Sequence, residues 1–130
     1  MKIINLPKIE DPRGNLSFLE NFHQVPFEVK RTYWIYDVPG GEERGGHASK
    51  TSEEMIIALS GSFDVIAHDG EKEQLISLNR SYKAAHVLPL TWRKINNFST
   101  NAVALIISST NYDAKDYIRD FETYKRLKNG

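Results

Sequence analysis

The chain has 130 residues, 40% hydrophobic and 26% charged, which suits one soluble domain with a core large enough to fold alone. Seventeen lysines and arginines balance seventeen aspartates and glutamates, so no global field draws nucleic acid or an anionic membrane, and an anionic ligand needs a local cluster of bases. The absence of cysteine excludes disulfides, thiolate metal sites and thiol nucleophiles.

No apolar run approaches the roughly 20 residues of a membrane span. Met1-Lys2-Ile3-Ile4-Asn5 lacks the apolar core of a signal peptide, so the cytoplasm is the default expectation. Residues 2–5 read as a short strand stopped by Pro7, and Asp11-Pro12-Arg13-Gly14 is turn chemistry. Residues 15–20 alternate as a strand with Leu16 and Phe18 on one side, until Pro26 breaks the chain. Residues 29–37 are rich in β-branched and aromatic side chains and predict a strand. Its faces are Val29, Arg31, Tyr33, Ile35 and Lys30, Thr32, Trp34, Tyr36; neither is purely apolar, so one side is expected to line something polar.

Pro39-Gly40-Gly41 is a loop, and 42–50 is an extended approach to the strand 54–59, which ends at Ser60-Gly61. Residues 62–68 alternate cleanly, Asp69-Gly70 is a strong hairpin signal, and 71–78 return as the partner strand. Residues 84–88, 91–98 and 103–109 complete nine short strands separated by turn signals. From 116 to 128, Tyr117, Ile118, Phe121, Tyr124 and Leu127 fall at helical spacing, with Asn111 or Asp113 near the start and Gly130 past the end. The expected architecture is all-β: a small antiparallel sandwich or barrel spanning 1–130 as one domain, with a C-terminal helix laid against it.

Chemistry concentrates in the stretch from Arg44 to Met55. It holds Gly45-Gly46, His47 and two carboxylates before the apolar run 56–59. In an extended chain, His47 and Ser49 point the same way, toward the mouth of a pocket. The spacing of His47, Ser49, Glu54 and Gly61 resembles the first motif of the cupin jelly-roll barrels, with serine at the second histidine position. At the second motif, Pro89-Leu90-Thr91-Trp92-Arg93-Lys94 offers a lysine where cupins carry a histidine. One histidine and one glutamate do not make the three-ligand set of a catalytic metal, so neither metal nor cofactor is expected.

A metal-free imidazole at a pocket mouth is the default proton carrier near neutrality. An isolated histidine is more often idle, but the flanking glycines, arginine and carboxylates favour function for His47. His23 and His68 are expected to be exposed and idle, and the pattern does not assign a face to His86. Arg13, Arg31, Arg44 and Arg93 fall on turns or strands, and arginine suits bidentate phosphate recognition. Four surface ion pairs are the plainer alternative, although Arg31 shares a strand face with Tyr33. Trp34 and Trp92 are able to stack on a base or sugar, with buried packing the commoner use. The candidate set is therefore His47 and Tyr33 for catalysis, with Arg13, Arg31, Arg44, Ser49, Trp92 and Arg93 for binding.

Taken together, these blocks resemble the WxcM-like sugar-nucleotide 3,4-ketoisomerases. The likeness includes Asp11-Pro12-Arg13-Gly14, Lys30-Arg31-Thr32-Tyr33, Arg44-Gly45-Gly46-His47-Ala48, Asn96-Asn97-Phe98-Ser99 and Asp116-Tyr117-Ile118-Arg119. It implies a metal-free homodimer with exchanged N-terminal strands, binding a dTDP-linked keto-deoxysugar and neither nucleic acid nor membrane. It also implies movement of the ketone from C4 to C3 of dTDP-4-keto-6-deoxyglucose, in surface-sugar synthesis, through an enediol-like intermediate. His47 falls on a catalytic histidine of the family, and Arg31, Tyr33 and Arg44 on pocket positions. Relatives read His-Ala-His-Lys where this chain has His47-Ala48-Ser49-Lys50. Either His47 runs both transfers, or Tyr33 supplies the second group, or the chain binds the nucleotide sugar without turning it over. An epimerase using the same base is a further alternative.

Overall fold

A computed structural model describes residues 1–130. The strands are β1 (Lys2–Asn5), β2 (Lys8–Ile9), β3 (Leu16–Ser17), β4 (Arg31–Ile35), β5 (Arg44–Ser49) and β6 (Glu54–Ser60). They continue as β7 (Phe63–His68), β8 (Glu73–Leu78), β9 (Lys83–Val87), β10 (Trp92–Asn96), β11 (Val103–Ser108) and β12 (Tyr117–Ile118), and the helix α1 (Phe121–Asn129) closes the chain. One antiparallel sheet has the order β1-β9-β6-β11-β4, a second has β12-β5-β10-β7-β8, and β2-β3 form a small ribbon. The all-β architecture with a C-terminal helix is therefore present. It takes the form of two facing sheets, each with open edges, rather than one closed ring.

The core lies between the sheets. Ile56, Ala104 and Ile106 of the first sheet meet Phe63, Val65, Ile76 and Ile95 of the second. The alternation read in 62–68 is realised, since Phe63, Val65 and Ala67 are buried and their neighbours are half-buried. A second apolar cluster lies on the outside of the first sheet, where Leu6, Val25 and Phe27 cover Met55, Ile57 and Ile107. Tyr124 of α1 packs on the second sheet with Ala48 and Ile118, and its hydroxyl lies 2.8 Å from the carbonyl oxygens of both His68 and Leu90, which share its one proton.

The tail departs from expectation. The helix starts at Phe121, not at 116, because Asp120 caps it by accepting from the Thr123 amide at 3.0 Å. Ahead of it, Ala114–Asp116 is a short 3-10 turn, and Tyr117–Ile118 pair with Ser49 and Ala48 as an edge strand. Two apolar residues beside an open strand edge gain ladder hydrogen bonds there that a helix end would leave unmade. The approach 42–50 becomes strand β5 from Arg44, while 29–37 shortens to β4, because Asp37 turns the chain with a φ of 56°. His23 is exposed, as expected. His68 is half-buried instead: its Nδ1 accepts from the Gly70 amide at 2.9 Å and its ring meets Phe121 edge-on. His86 is half-buried against Glu53.

Candidate active site

The site forms where β4, β5, β6 and β10 converge at one end of the sandwich. Alternation on β4 turns Arg31 and Tyr33 inward. On the neighbouring sheet, Arg93 of β10 stands opposite His47 of β5, and a register irregularity follows between Arg93 and Ile95. Gly45 sits in this irregularity with φ of 73°, and a Cβ there would collide with Nη1 of Arg93. Glycine at 45 is thus required twice, for the backbone angle and for the guanidinium beside it.

Arg93 is 1% exposed and is held on all sides. Its Nε and Nη2 donate to one oxygen of Glu54 at 3.1 and 2.8 Å, and Nη2 also donates to the Tyr33 hydroxyl at 2.9 Å. Tyr33 in turn donates to the other Glu54 oxygen at 2.7 Å. Burial opposes the ionised Glu54 carboxyl, but the Arg93 charge and the hydrogen bonds outweigh it and hold the carboxyl below its usual range. Burial pushes the Tyr33 phenol up, against the pull of Arg93, so it keeps its proton.

His47 borders this triad. Burial is the largest influence on it, followed by the Arg93 charge, with Arg119 and Arg31 adding to the effect against Glu54; together they lower its pKa to about 4. Its Nε2 is buried and has no hydrogen-bond partner. The imidazole is therefore neutral and unengaged at pH 7.

A cavity of about 520 Å³ opens over these groups, lined by Arg31, Tyr33, Arg44, His47 and Arg93 together with Tyr112, Tyr117 and Arg119. The Arg31 guanidinium sits 5.1, 5.5 and 6.0 Å from the ring centres of Tyr33, Tyr112 and Tyr117. Its Nη2 reaches Ser108 Oγ at 3.4 Å, while its Nε is buried without a partner. Arg119 lies over the other ring contact of Tyr117, at 4.9 Å.

The structure brings five of the eight sequence-selected residues to the cavity: His47, Tyr33, Arg31, Arg44 and Arg93. Three stand elsewhere. Arg13 is exposed and paired with Asp11 two residues away, because the tight turn closes that pair locally. Trp92 alternates to the opposite face from Arg93 and packs on Phe121 and Tyr124 at 5.2 and 5.8 Å. Ser49 points inward but is buried below the cavity lining, with its hydroxyl unpartnered. Tyr112, Tyr117 and Arg119 were not selected, since helical periodicity placed the last two on a helix; the Asp116-Tyr117-Ile118-Arg119 block was the available signal.

The cavity does not fit a metal ion. No three His, Cys, Asp or Glu side chains converge, and its one imidazole is surrounded by guanidinium groups that repel a cation. Fold and site together define a cupin-type all-β protein with a cavity lined by arginines and tyrosines beside a buried imidazole.

The chain belongs to the WxcM-like, C-terminal family (FdtA), whose model matches residues 1–129. It is 39% identical over 125 residues, 96% of this chain and 90% of the relative, to the TDP-4-oxo-6-deoxy-alpha-D-glucose-3,4-oxoisomerase of Aneurinibacillus thermoaerophilus. It is also similar to a crystal structure of a 3,4-ketoisomerase from Helicobacter canadensis, with a TM-score of 0.96, 38% identity and coverage of 99% and 97%. A third likeness is to a mutant of the 3,4-ketoisomerase QdtA from Thermoanaerobacterium thermosaccharolyticum, solved in complex with TDP-4-keto-6-deoxyglucose, with a TM-score of 0.96, 30% identity and coverage of 98% and 93%.

Proposed function

We propose that this chain is a sugar-nucleotide 3,4-ketoisomerase acting on dTDP-4-keto-6-deoxyglucose, with His47 as the base. The observation that carries this reading is the neutral, buried and unpartnered Nε2 of His47 inside an arginine-lined cavity. A base must be unprotonated and free at working pH, and His47 is both. Arg31, Arg44 and Arg119 supply charge for the diphosphate, and the unpartnered Nε of Arg31 leaves a donor for it.

In this reading His47 takes the C3 proton beside the C4 ketone. Tyr33 returns a proton at C4, because its phenol stays protonated and adjoins the Glu54–Arg93 pair. Arg93 orients Tyr33 and Glu54 rather than meeting the phosphates. The similarity to relatives named as 3,4-ketoisomerases across nearly the whole chain supports the same conclusion.

We infer further that the chain works as a homodimer in the cytoplasm, toward surface-sugar synthesis. Exposed Trp34, Leu59, Leu16 and Phe18, together with an apolar depression on the outside of the first sheet, favour a partner there. β1 pairs with β9 of its own chain, so exchange of N-terminal strands in the dimer requires the partner's β1 to replace that pairing. Light scattering of the purified chain tests the dimer.

Incubation with dTDP-4-keto-6-deoxyglucose and a 3-aminotransferase tests the activity. A 3-amino sugar is the expected product. Ligand binding without product means a non-catalytic binder, and a 4-keto sugar inverted beside the ketone means an epimerase.

A further inference from the structure

A keto shift between neighbouring carbons moves two protons, one between the carbons and one between the oxygens they bear. The groups assigned above handle only the first. We propose that the hydroxyl of Tyr117 carries the second, between the C3 and C4 oxygens of the sugar, and so acts as a further catalytic residue. This rests on the ketoisomerase reading.

Tyr117 lines the same cavity as His47, and their ring centres are 4.7 Å apart. Across the β5–β12 ladder, Tyr117 stands directly opposite Ser49. Directly paired residues project to one face of a sheet, so the Tyr117 ring rises beside the small serine. Ser49 itself is buried and is not among the residues that line the cavity. The Tyr33 proton is already assigned to C4, where its bonds with Glu54 and Arg93 orient it, so a different group must serve the two oxygens. Tyr117 thus lines the cavity with its ring beside the base, and its hydroxyl makes no hydrogen bond within the chain.

Its surroundings suit the task. The guanidinium groups of Arg119 and Arg31 lie 4.9 and 6.0 Å from its ring centre and hold the ring at the cavity wall through cation–π contacts. Its position is fixed through the preceding residue. Asp116 accepts from the Thr51 amide and hydroxyl at 2.9 and 2.8 Å and from the Ser52 hydroxyl at 2.6 Å. That clamp ties the start of β12 to the loop following β5.

The protons balance. His47 takes the proton from C3, the C3–H electron pair becomes the C3=C4 bond, and the C4 oxygen takes the Tyr117 proton, giving a neutral enediol. The Tyr117 phenolate then removes the proton from the C3 oxygen. The new C3=O bond forms as the C3=C4 pair accepts the Tyr33 proton at C4. The His47 imidazolium finally restores the Tyr33 proton through solvent. No oxidant or reductant is required.

Tyr117→Phe keeps the ring against His47 and removes only the hydroxyl. The expected result is a fall in kcat of about 10²-fold or more, with affinity for dTDP within about threefold of the unmodified chain. A kcat within threefold of the unmodified chain overturns this inference alone, whereas an inactive unmodified chain overturns the ketoisomerase reading and this inference together. If the phenylalanine variant does not fold, 3-fluorotyrosine at 117 keeps the shape and acidifies the phenol. The alkaline limb of kcat is then expected to move to lower pH, and an unmoved limb overturns the proposal.

Discussion

Nη2 of Arg93 lies 2.8 Å from Oε1 of Glu54, and both side chains are almost wholly shielded from water. This pair joins the two sheets at the cavity floor, since Arg93 belongs to β10 and Glu54 to β6. An ion pair so placed is tolerated because each charge also finds further hydrogen bonds, from Tyr33 to Glu54 and from Arg93 to Tyr33.

Glu54→Gln leaves the buried guanidinium without its counter-charge. The expected loss is roughly 3–5 kcal/mol of folding stability, measured by urea unfolding. The double change Glu54→Leu with Arg93→Met removes both charges and is expected to recover most of that stability while losing activity. A double variant as unstable as Glu54→Gln contradicts the charge argument.

Gly45→Ala is expected to disturb the same pair from a distance. The added methyl meets the Arg93 guanidinium and the backbone must hold φ of 73°. A cost on the order of 2 kcal/mol follows from the left-handed backbone and the displaced side chain. A lowered melting temperature with a matching loss of turnover checks it, whereas unchanged values of both would show that Arg93 moves aside freely.

His47 makes stability depend on pH in a defined window. Its pKa is about 4 when folded, against 6.5 for the free side chain. Between those values the unfolded chain binds the proton that the folded chain refuses, so stability falls as pH drops from about 6.5 toward 4. The loss attributable to His47 is roughly 3 kcal/mol at most. Urea midpoints across that range are expected to fall less steeply in His47→Asn than in the unmodified chain, and identical slopes would contradict the buried neutral imidazole.

The same shift predicts the pH profile of activity. A base that is neutral down to pH of about 4 places the acid limb of kcat/KM near there, not near 6.5. His47→Asn is expected to lower exchange of the C3 hydrogen with deuterated solvent by about 10²–10⁴-fold, read by NMR on the 4-keto sugar. Exchange at the unmodified rate removes His47 from the mechanism.

Transfer of label separates the two ways of finishing the reaction. With His47 as base and Tyr33 as donor, a C3-deuterated substrate gives a product carrying solvent hydrogen at C4. Deuterium retained at C4 would mean instead that His47 delivers the proton that it removed.

Much of this was legible in the chain itself. Alternation in 62–68 and the Asp69-Gly70 turn specify the β7–β8 hairpin, because a period of two and a turn are local properties. The spacing of His47, Glu54 and Gly61 located two strands of the site, β5 and β6, and the shared face of Arg31 and Tyr33 located a third. What remained hidden depends on contacts between distant segments. Tyr117 and Ile118 fit a helical period as well as an edge strand, and only the open side of β5 decided between them. Arg93 looked like a phosphate ligand until its register opposite His47 placed it under the cavity against Glu54. Arg13 and Trp92 carried suitable chemistry, but local turn closure and strand alternation sent them away from the pocket. Most of the strands, the β7–β8 hairpin and the imidazole singled out for the site follow from local periodicity and residue chemistry. Only the packing of the two sheets decided which charges face the cavity and which neutralise one another, because that pairing spans distances no local pattern encodes.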